Sequence, residues 1–477
     1  MTTGDPAKLV VRRLIDDLET PVSAFLKVAH GRPHAVLLES VEGGAVNGRW
    51  SILTLEPDVV WRCRDGRAEI ARGPDVVAGR FVAEPGPALT SLRALIADSA
   101  LDLPDDLPPM AAGLFGVFGY DLVRLLEPLG AANPDPLDLP DAVLTRPGLI
   151  AVFDSVKHEI VLTAPVRDGD TAAAEARLDA FEAALRGPLP ARPDPAPMEV
   201  DFASPVDQSA FTALIERAKA YISAGDIFQV VLSHRLSAPW TGDPFAVYRA
   251  LRRQNPSPYL FFLDMVDFQL AGSSPEILVR RKDGRVTIRP LAGTRPRGAD
   301  ASADAALEAE LLADPKERAE HLMLLDLGRN DVGRVSTPGT VRVTDSFAVE
   351  RYSQVMHIVS NVEGEADPRL DAVDTLLAAL PAGTLSGAPK VRAMEIIDEL
   401  EEVKRGVGYG GGVGYITSGG EADVCIVLRT ALFARGRIHV QAGAGVVADS
   451  DPVAEYQETL AKARAPMRAA QEAGRYR

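Results

Sequence analysis

The sequence predicts an α+β fold, with strands and helices mixed along the chain, and three observations carry that prediction. Near the start, residues 34–44 (HAVLLESVEGG) and 48–70 (GRWSILTLEPDVVWRCRDGRAEI) read as strands broken by glycine turns. Near the end, GGGVGYITS, DVCIVLRTALFA and RIHVQAGAGVV form a meander of strands separated by SGGEA and ARGR turns. Between these stretches lie amphipathic helical patterns, the most informative being residues 380–401.

A chain of 477 residues, 46% hydrophobic and 25% charged, should carry two core-forming regions. Its first twenty residues lack a continuous apolar core of signal-peptide length, and no run approaches a membrane span, so a cytoplasmic protein without a membrane partner is expected. A net charge of −16 argues against a nucleic-acid partner, because phosphate binding needs concentrated Lys and Arg. Cys63 and Cys425 have no neighbour at metal or redox spacing, and Cys425 sits in an alternating pattern that suits a small buried hydrophobe. ALTSLRALIADSA reads as a helix, and the glycine-rich aromatic run 113–120 (GLFGVFGY) as close packing between sheet layers. Residues 187–197 (GPLPARPDPAP) hold five prolines, too dense for a regular element. They divide the chain into residues 1–186, a linker over 187–204 and residues 205–477, or else form a loop within one large domain.

The second region opens with FTALIERAKAYISAG, a helix ending at Gly225, followed by a strand that carries Gln229. AGSSPE places Glu276 on a turn at a strand's start, where a carboxylate is ordinarily just solvated. Glu320 and His321 lie on a helix over 317–331, and His357 in a strand pattern, where a lone histidine is ordinarily structural. In residues 380–401, Gly383 and Gly387 allow tight backbone geometry, Thr384 and Ser386 supply hydroxyls, and Pro389 suits a first helical turn. Val391, Met394, Ile397 and Leu400 then share one face. The free N–H groups at such a helix start suit an anion. The glycine spacing is not that of a phosphate-binding P-loop, so a carboxylate ligand fits better. In the meander, Cys425, Val427, Arg429 and Ala431 fall on one side of a strand, so Arg429 on that apolar face needs an anionic partner. On a last helix Glu455, Glu458 and Lys462 form a stripe of the kind that is usually a salt-bridged surface.

GTLSGAPK, residues 383–390, closely resembles the signature of the chorismate-utilising enzymes, and specifically of the anthranilate synthase large subunits; the likeness runs over residues 211–465. The resemblance implies large antiparallel sheets packed together and flanked by helices, with a regulatory region over 1–186 and a chorismate-binding one over 205–477. It implies conversion of chorismate and ammonia to anthranilate and pyruvate, the committing step toward tryptophan, with tryptophan as feedback inhibitor. Glu276 then faces the departing ring hydroxyl, where burial that raises its pKa would make it an acid. His357 matches the family's active-site histidine, suited to proton transfer by titrating near neutral pH, and Thr384 joins these two as catalytic. Gly293 and Thr294, Tyr415 and Arg429, Gly443-Ala444-Gly445, Gln229 and Lys462 match substrate-binding positions. Glu320 and Glu458 match the carboxylates that hold one Mg²⁺, a cation that prefers oxygen ligands, few protein contacts and an anionic substrate as co-ligand.

Product choice follows from two positions. Gln229 stands where water-adding relatives carry a lysine base, and Ala292 where the aminodeoxychorismate synthases carry a lysine nucleophile. Both favour direct attack by ammonia. Leu37-Leu38-Glu39-Ser40 and Asn255-Pro256-Ser257-Pro258-Tyr259 resemble the two halves of the tryptophan site, to which Ser40, Arg49, Pro258, Tyr259 and Leu260 are assigned. Neither cysteine sits in a glutaminase-type turn, so a separate glutamine amidotransferase, the component II subunit, must supply ammonia in a hetero-oligomer. The rival readings are an aminodeoxychorismate synthase and a non-catalytic tryptophan-binding regulator. The presence of Glu276, Glu320, His357, Arg429 and Glu458 speaks against the second.

Overall fold

The computed structural model describes residues 8–40, 48–167, 169–191, 198–352 and 355–476. Residues 192–197 of the expected linker lie outside it.

Two long strands organise the chain. Trp50–Arg64 and Ala142–Asp154 pair antiparallel along most of their length, with a register shift between Pro57 and Val59 beside Glu56 at φ +52°. A bulge of this kind bends a strand and lets its two halves join different sheets. Before the bend, Trp50–Arg64 pairs with Val36–Glu39, and the ladder continues through Tyr259–Asp264, Gln269–Ser274, Thr430–Ala434 and Arg437–Val446 to Gln229–Pro239. Beyond the bend, Ala142–Asp154 pairs with Gly113–Phe118, and the ladder runs through Gly412–Thr417, Ala422–Ile426, Ile277–Lys282 and Arg285–Ile288 to Val355–Glu365. Every described strand pair is antiparallel.

The two leaves pack face to face. One core cluster joins Val36, Phe261 and Leu270 of the first leaf to Val117, Val413 and Cys425 of the second. Helices cover the outer faces: Pro244–Gln254 packs its Phe245 and Tyr248 on the first leaf, and Ala88–Asp98 and Ala372–Ala379 bury Leu92, Leu95, Leu376 and Leu377 against the second. In each leaf a block of strands from before the proline-rich segment joins a block from after it, through Val36–Glu39 with Tyr259–Asp264 and Gly113–Phe118 with Gly412–Thr417, so the two regions share their sheets.

The chain passes between leaves twice beside the future site. Gln269–Ser274 leads through Pro275 and Glu276 into Ile277–Lys282, and Ala422–Ile426 returns through Arg429 into Thr430–Ala434. These crossings lie side by side: the Ile426 N–H donates to the Glu276 carbonyl at 3.0 Å and the Ser273 N–H to the Arg429 carbonyl at 3.3 Å. DVCIVLRTALFA is therefore two strands rather than one. Arg429 adopts φ +48°, which no strand accommodates, and the alternation argument for its facing does not hold.

The helices match their patterns more closely. Gln208–Ala224 ends at Gly225 with φ +85°, and Pro315–Gly333, Lys390–Leu400 and Pro452–Glu472 fall on the predicted stretches. Pro389 is the residue before the last turn-forming start, at the N-cap, rather than inside the helix.

Candidate active site

Glu276 is the centre of a chamber at the seam of the leaves. Its side chain is enclosed, and burial pushes its pKa up to about 8 despite the Thr384 hydroxyl, Arg429 and Lys462, which favour the charged form. The Thr384 hydroxyl donates to Glu276 Oε1 at 3.2 Å. A carboxyl in this state keeps its proton at neutral pH and can give it away.

His357 lies opposite, on Val355–Glu365, with Thr294 of Leu291–Pro296 as its ladder partner. Its Nδ1 is 3.0 Å from the Gly293 carbonyl and 3.1 Å from the Thr294 hydroxyl. A carbonyl only accepts, so Nδ1 carries the proton and Nε2, buried without a partner among the described residues, presents a lone pair. Burial, helped by Arg429 and Lys462, pushes the imidazole down to about 4. The expectation of a group titrating near neutral pH is corrected: His357 is a neutral base throughout that range.

Arg429 and Lys462 act on both Glu276 and His357, placing two cations beside the acid and the base. Lys462 Nζ donates to the Gly443 carbonyl at 3.2 Å and pairs with Glu458 at 2.7 Å. Gly443 and Gly445 flank Ala444 on Arg437–Val446 and are needed for approach. A Cβ at Gly443 would lie 2.6 Å from the Tyr409 hydroxyl, and one at Gly445 would lie 2.6 Å from Gln229 Nε2. Gln229 is buried, with Oε1 lacking a partner among the described residues.

Glu320 and Glu458 come from separate helices to the edge of this chamber. Burial, then Glu317 and Glu458, push the Glu320 pKa up to about 7. Carboxylates crowded in this way fit a divalent cation, which would relieve their repulsion. Among the described residues no group of three or more metal-type ligands occurs, so such an ion would complete its shell from substrate and water.

The cradle before Lys390–Leu400 differs from the expected anion seat. Lys390 is engaged by Asp331 at 2.8 Å, Thr384 turns to Glu276, and the Ser386 hydroxyl donates to the Ala382 carbonyl. The loop presents its groups to the acid, not to an ion at the helix start.

A cavity of about 540 Å³ opens on the front of Glu276 and extends along the interface of the leaves. Ser40, Arg49, Pro258, Tyr259 and Leu260 all line it. Tyr415 lines it too, near Arg280, Asp423 and Tyr259, away from Gly443. The tyrosine that reaches Gly443 is Tyr409, which sequence reasoning missed although it stands in the same glycine-rich run. Also missed was buried Arg405, which pairs with Glu401 at 2.5 Å and donates to the Leu385 and Val231 carbonyls, tying the Thr384 loop to the Gln229 strand.

Residues 59–468 match the family described as chorismate binding enzyme. The chain is 54% identical to anthranilate synthase component 1 of Cereibacter sphaeroides, over 98% of this chain and 95% of the relative. It is 48% identical to anthranilate synthase component 1 of Thermus thermophilus, over 96% of each. The solved anthranilate synthase component I from Streptococcus pneumoniae superposes with a TM-score of 0.78 at 37% identity, covering 95% of this chain and 98% of that one. The menaquinone-specific isochorismate synthase of Escherichia coli, at 20% identity and a TM-score of 0.73 over 98% of this chain and 94% of that one, shares the fold. With a match across most of its length and a site of this chemistry at the seam of its sheets, the chain belongs to the chorismate binding enzyme family.

Proposed function

We propose that this chain forms anthranilate and pyruvate from chorismate and ammonia. The carrying observation is an acid without a basic partner for water: Glu276 keeps its proton to about pH 8, while the positions that would activate water or form a covalent adduct are Gln229 and Ala292. Ammonia brings its own lone pair. It attacks the ring carbon beside the carboxylate-bearing carbon, the ring C–O bond breaks, and Glu276 gives its proton to the departing hydroxyl. His357 Nε2 then takes the ring proton as the ether C–O bond breaks, the ring becomes aromatic, and the departing enolpyruvate takes up that proton at its methylene carbon to leave as pyruvate. Arg429 and Lys462 orient the substrate's carboxylates. Mg²⁺, bound through Glu320 and Glu458, would supply charge neutralisation to the ring carboxylate.

Ammonia comes from a second polypeptide. Cys63 and Cys425 are buried, with burial pushing the first thiol up to about 12 and the second higher still, so neither is a glutaminase nucleophile. Relatives named component 1 agree with a partner component, and a glutamine amidotransferase is the chemistry required.

The front cavity suits an aromatic amino acid and supports tryptophan as regulator. Arg49 and Arg280 offer cations for a carboxylate, Asp423 Oδ1 lacks a partner among the described residues and suits an ammonium, and Trp50, Met110 and Tyr415 supply apolar wall. Purified chain with chorismate, Mg²⁺ and ammonium salts should produce anthranilate fluorescence, with none from glutamine. Aminodeoxychorismate or isochorismate as the main product would overturn the assignment.

A further inference from the structure

A second, narrow cleft also touches Glu276. It is lined by Glu276, Thr384 and Asp331 and by the walls of Leu324, Leu327 and Gly328, and its free space is about 20 Å³, room for one water. Asp331 is buried; its Oδ2 accepts from Lys390 at 2.8 Å, while its Oδ1 has no partner among the described residues. A buried carboxylate oxygen beside a water-sized space calls for a donor, and water fits. Burial holds Asp331 above the usual carboxylate range, although Lys390, Arg334 and Asn330 all favour its charged form. Lys390 in turn retains slight solvent exposure and follows exposed Pro389, so the ion pair reaches toward bulk water.

The chemistry needs such a connection. Once Glu276 has protonated the leaving hydroxyl it is a carboxylate, and the aminated intermediate then fills the chamber in front of it. We propose that the cleft holds water and forms a proton path from Lys390 through Asp331 to Glu276, recharging the acid after each turnover. The inference rests on the anthranilate-forming reading, in which Glu276 is the acid. A cleft water gives a proton to the Glu276 carboxylate and takes one from Asp331, Asp331 takes one from the Lys390 ammonium, and Lys390 regains one from solvent. The amine adduct releases the matching proton, so the cycle has no net gain or loss. Asp331 and Lys390 touch no substrate and act through Glu276.

Rapid-quench kinetics with chorismate, Mg²⁺ and ammonium tests the path in the full chain with two substitutions. Asp331→Asn removes the shuttle. Gly328→Ala narrows the cleft, since its added Cβ would meet Ile288 and Pro290 at 3.7 Å, ordinary contact within a helix that prefers alanine. Both variants should form the first aminated product per site at the wild-type rate, then turn over on the order of tenfold more slowly, giving a burst the wild type lacks. First and later turnovers falling together, or neither changing, would overturn the path while leaving the wild-type activity to stand. A wild type that makes no anthranilate overturns both readings. Should Asp331→Asn fail to fold, Gly328→Ala decides alone.

Discussion

Glu276 sets the pH behaviour, and the sign follows from its burial. In the proposed reaction the group works as an acid, so kcat/KM per free ammonia should hold below about pH 8 and fall above it as the carboxyl ionises. Thr384→Val deletes a hydrogen bond that favours the carboxylate, which raises the pKa further and should move this falling limb to higher pH. A limb that stays in place or moves down would show that Thr384 does not act on the acid. Glu276→Gln should cost about 10²- to 10⁴-fold in kcat. His357, held near 4, adds no limb between pH 5 and 8; His357→Ala should let an aminated, pyruvyl-bearing intermediate accumulate, read by chromatography of quenched reactions. Much at this scale was legible, because Gln229, Ala292 and the Glu320/Glu458 pair sit in recognisable motifs. The histidine's protonation state was not, since it depends first on burial, which no local pattern shows, and then on Arg429 and Lys462, which are 72 and 105 residues away in sequence but beside it in the fold.

Glycine positions within the strands separate structural from functional need. A Cβ at Gly116 would overlap the Val143 carbonyl oxygen in the neighbouring strand, and backbone cannot yield cheaply. Gly116→Ala should lower stability by about 1–3 kcal/mol or more, measured by thermal or urea unfolding. At Gly445 the added methyl meets only the end of the Gln229 side chain. Gly445→Ala should therefore unfold like the wild type yet lose activity as Gln229 is pushed into the chamber. Strand runs and helices were predictable because their periodicity is local. The break at Arg429 was not, because an arginine at φ +48° leaves no mark on an alternating pattern, and it is imposed by the passage from one leaf to the other. Tyr409 and Tyr415 show the same limit: they are six positions apart in one glycine-rich run, but Tyr409 lies in the bend before Gly412–Thr417 and Tyr415 within that strand, so they reach different places.

Over the whole molecule, one cavity is lined both by the proposed amino-acid pocket and by Glu276, and on the proposed regulatory reading occupancy at one end should be felt at the other. Tryptophan at 100-fold its dissociation constant should add about 2.7 kcal/mol of apparent stability and should weaken chorismate binding by the same factor that chorismate weakens its own. Calorimetry of each ligand with and without the other checks this, and independent binding would remove the regulatory reading. Exhaustive chelation, or Glu320→Ala or Glu458→Ala, should nearly abolish turnover with little change in melting temperature. The insertion of Val36–Glu39 between Tyr259–Asp264 and Trp50–Arg64 bears on how such a protein changes over time. Deleting the first 186 residues would not release a constitutive enzyme; it would strip a neighbour from a buried strand and leave a raw, sticky edge inviting aggregation. On the proposed regulatory reading, a lineage that no longer needs feedback must therefore keep those residues and escape control one side chain at a time, within the pocket's lining.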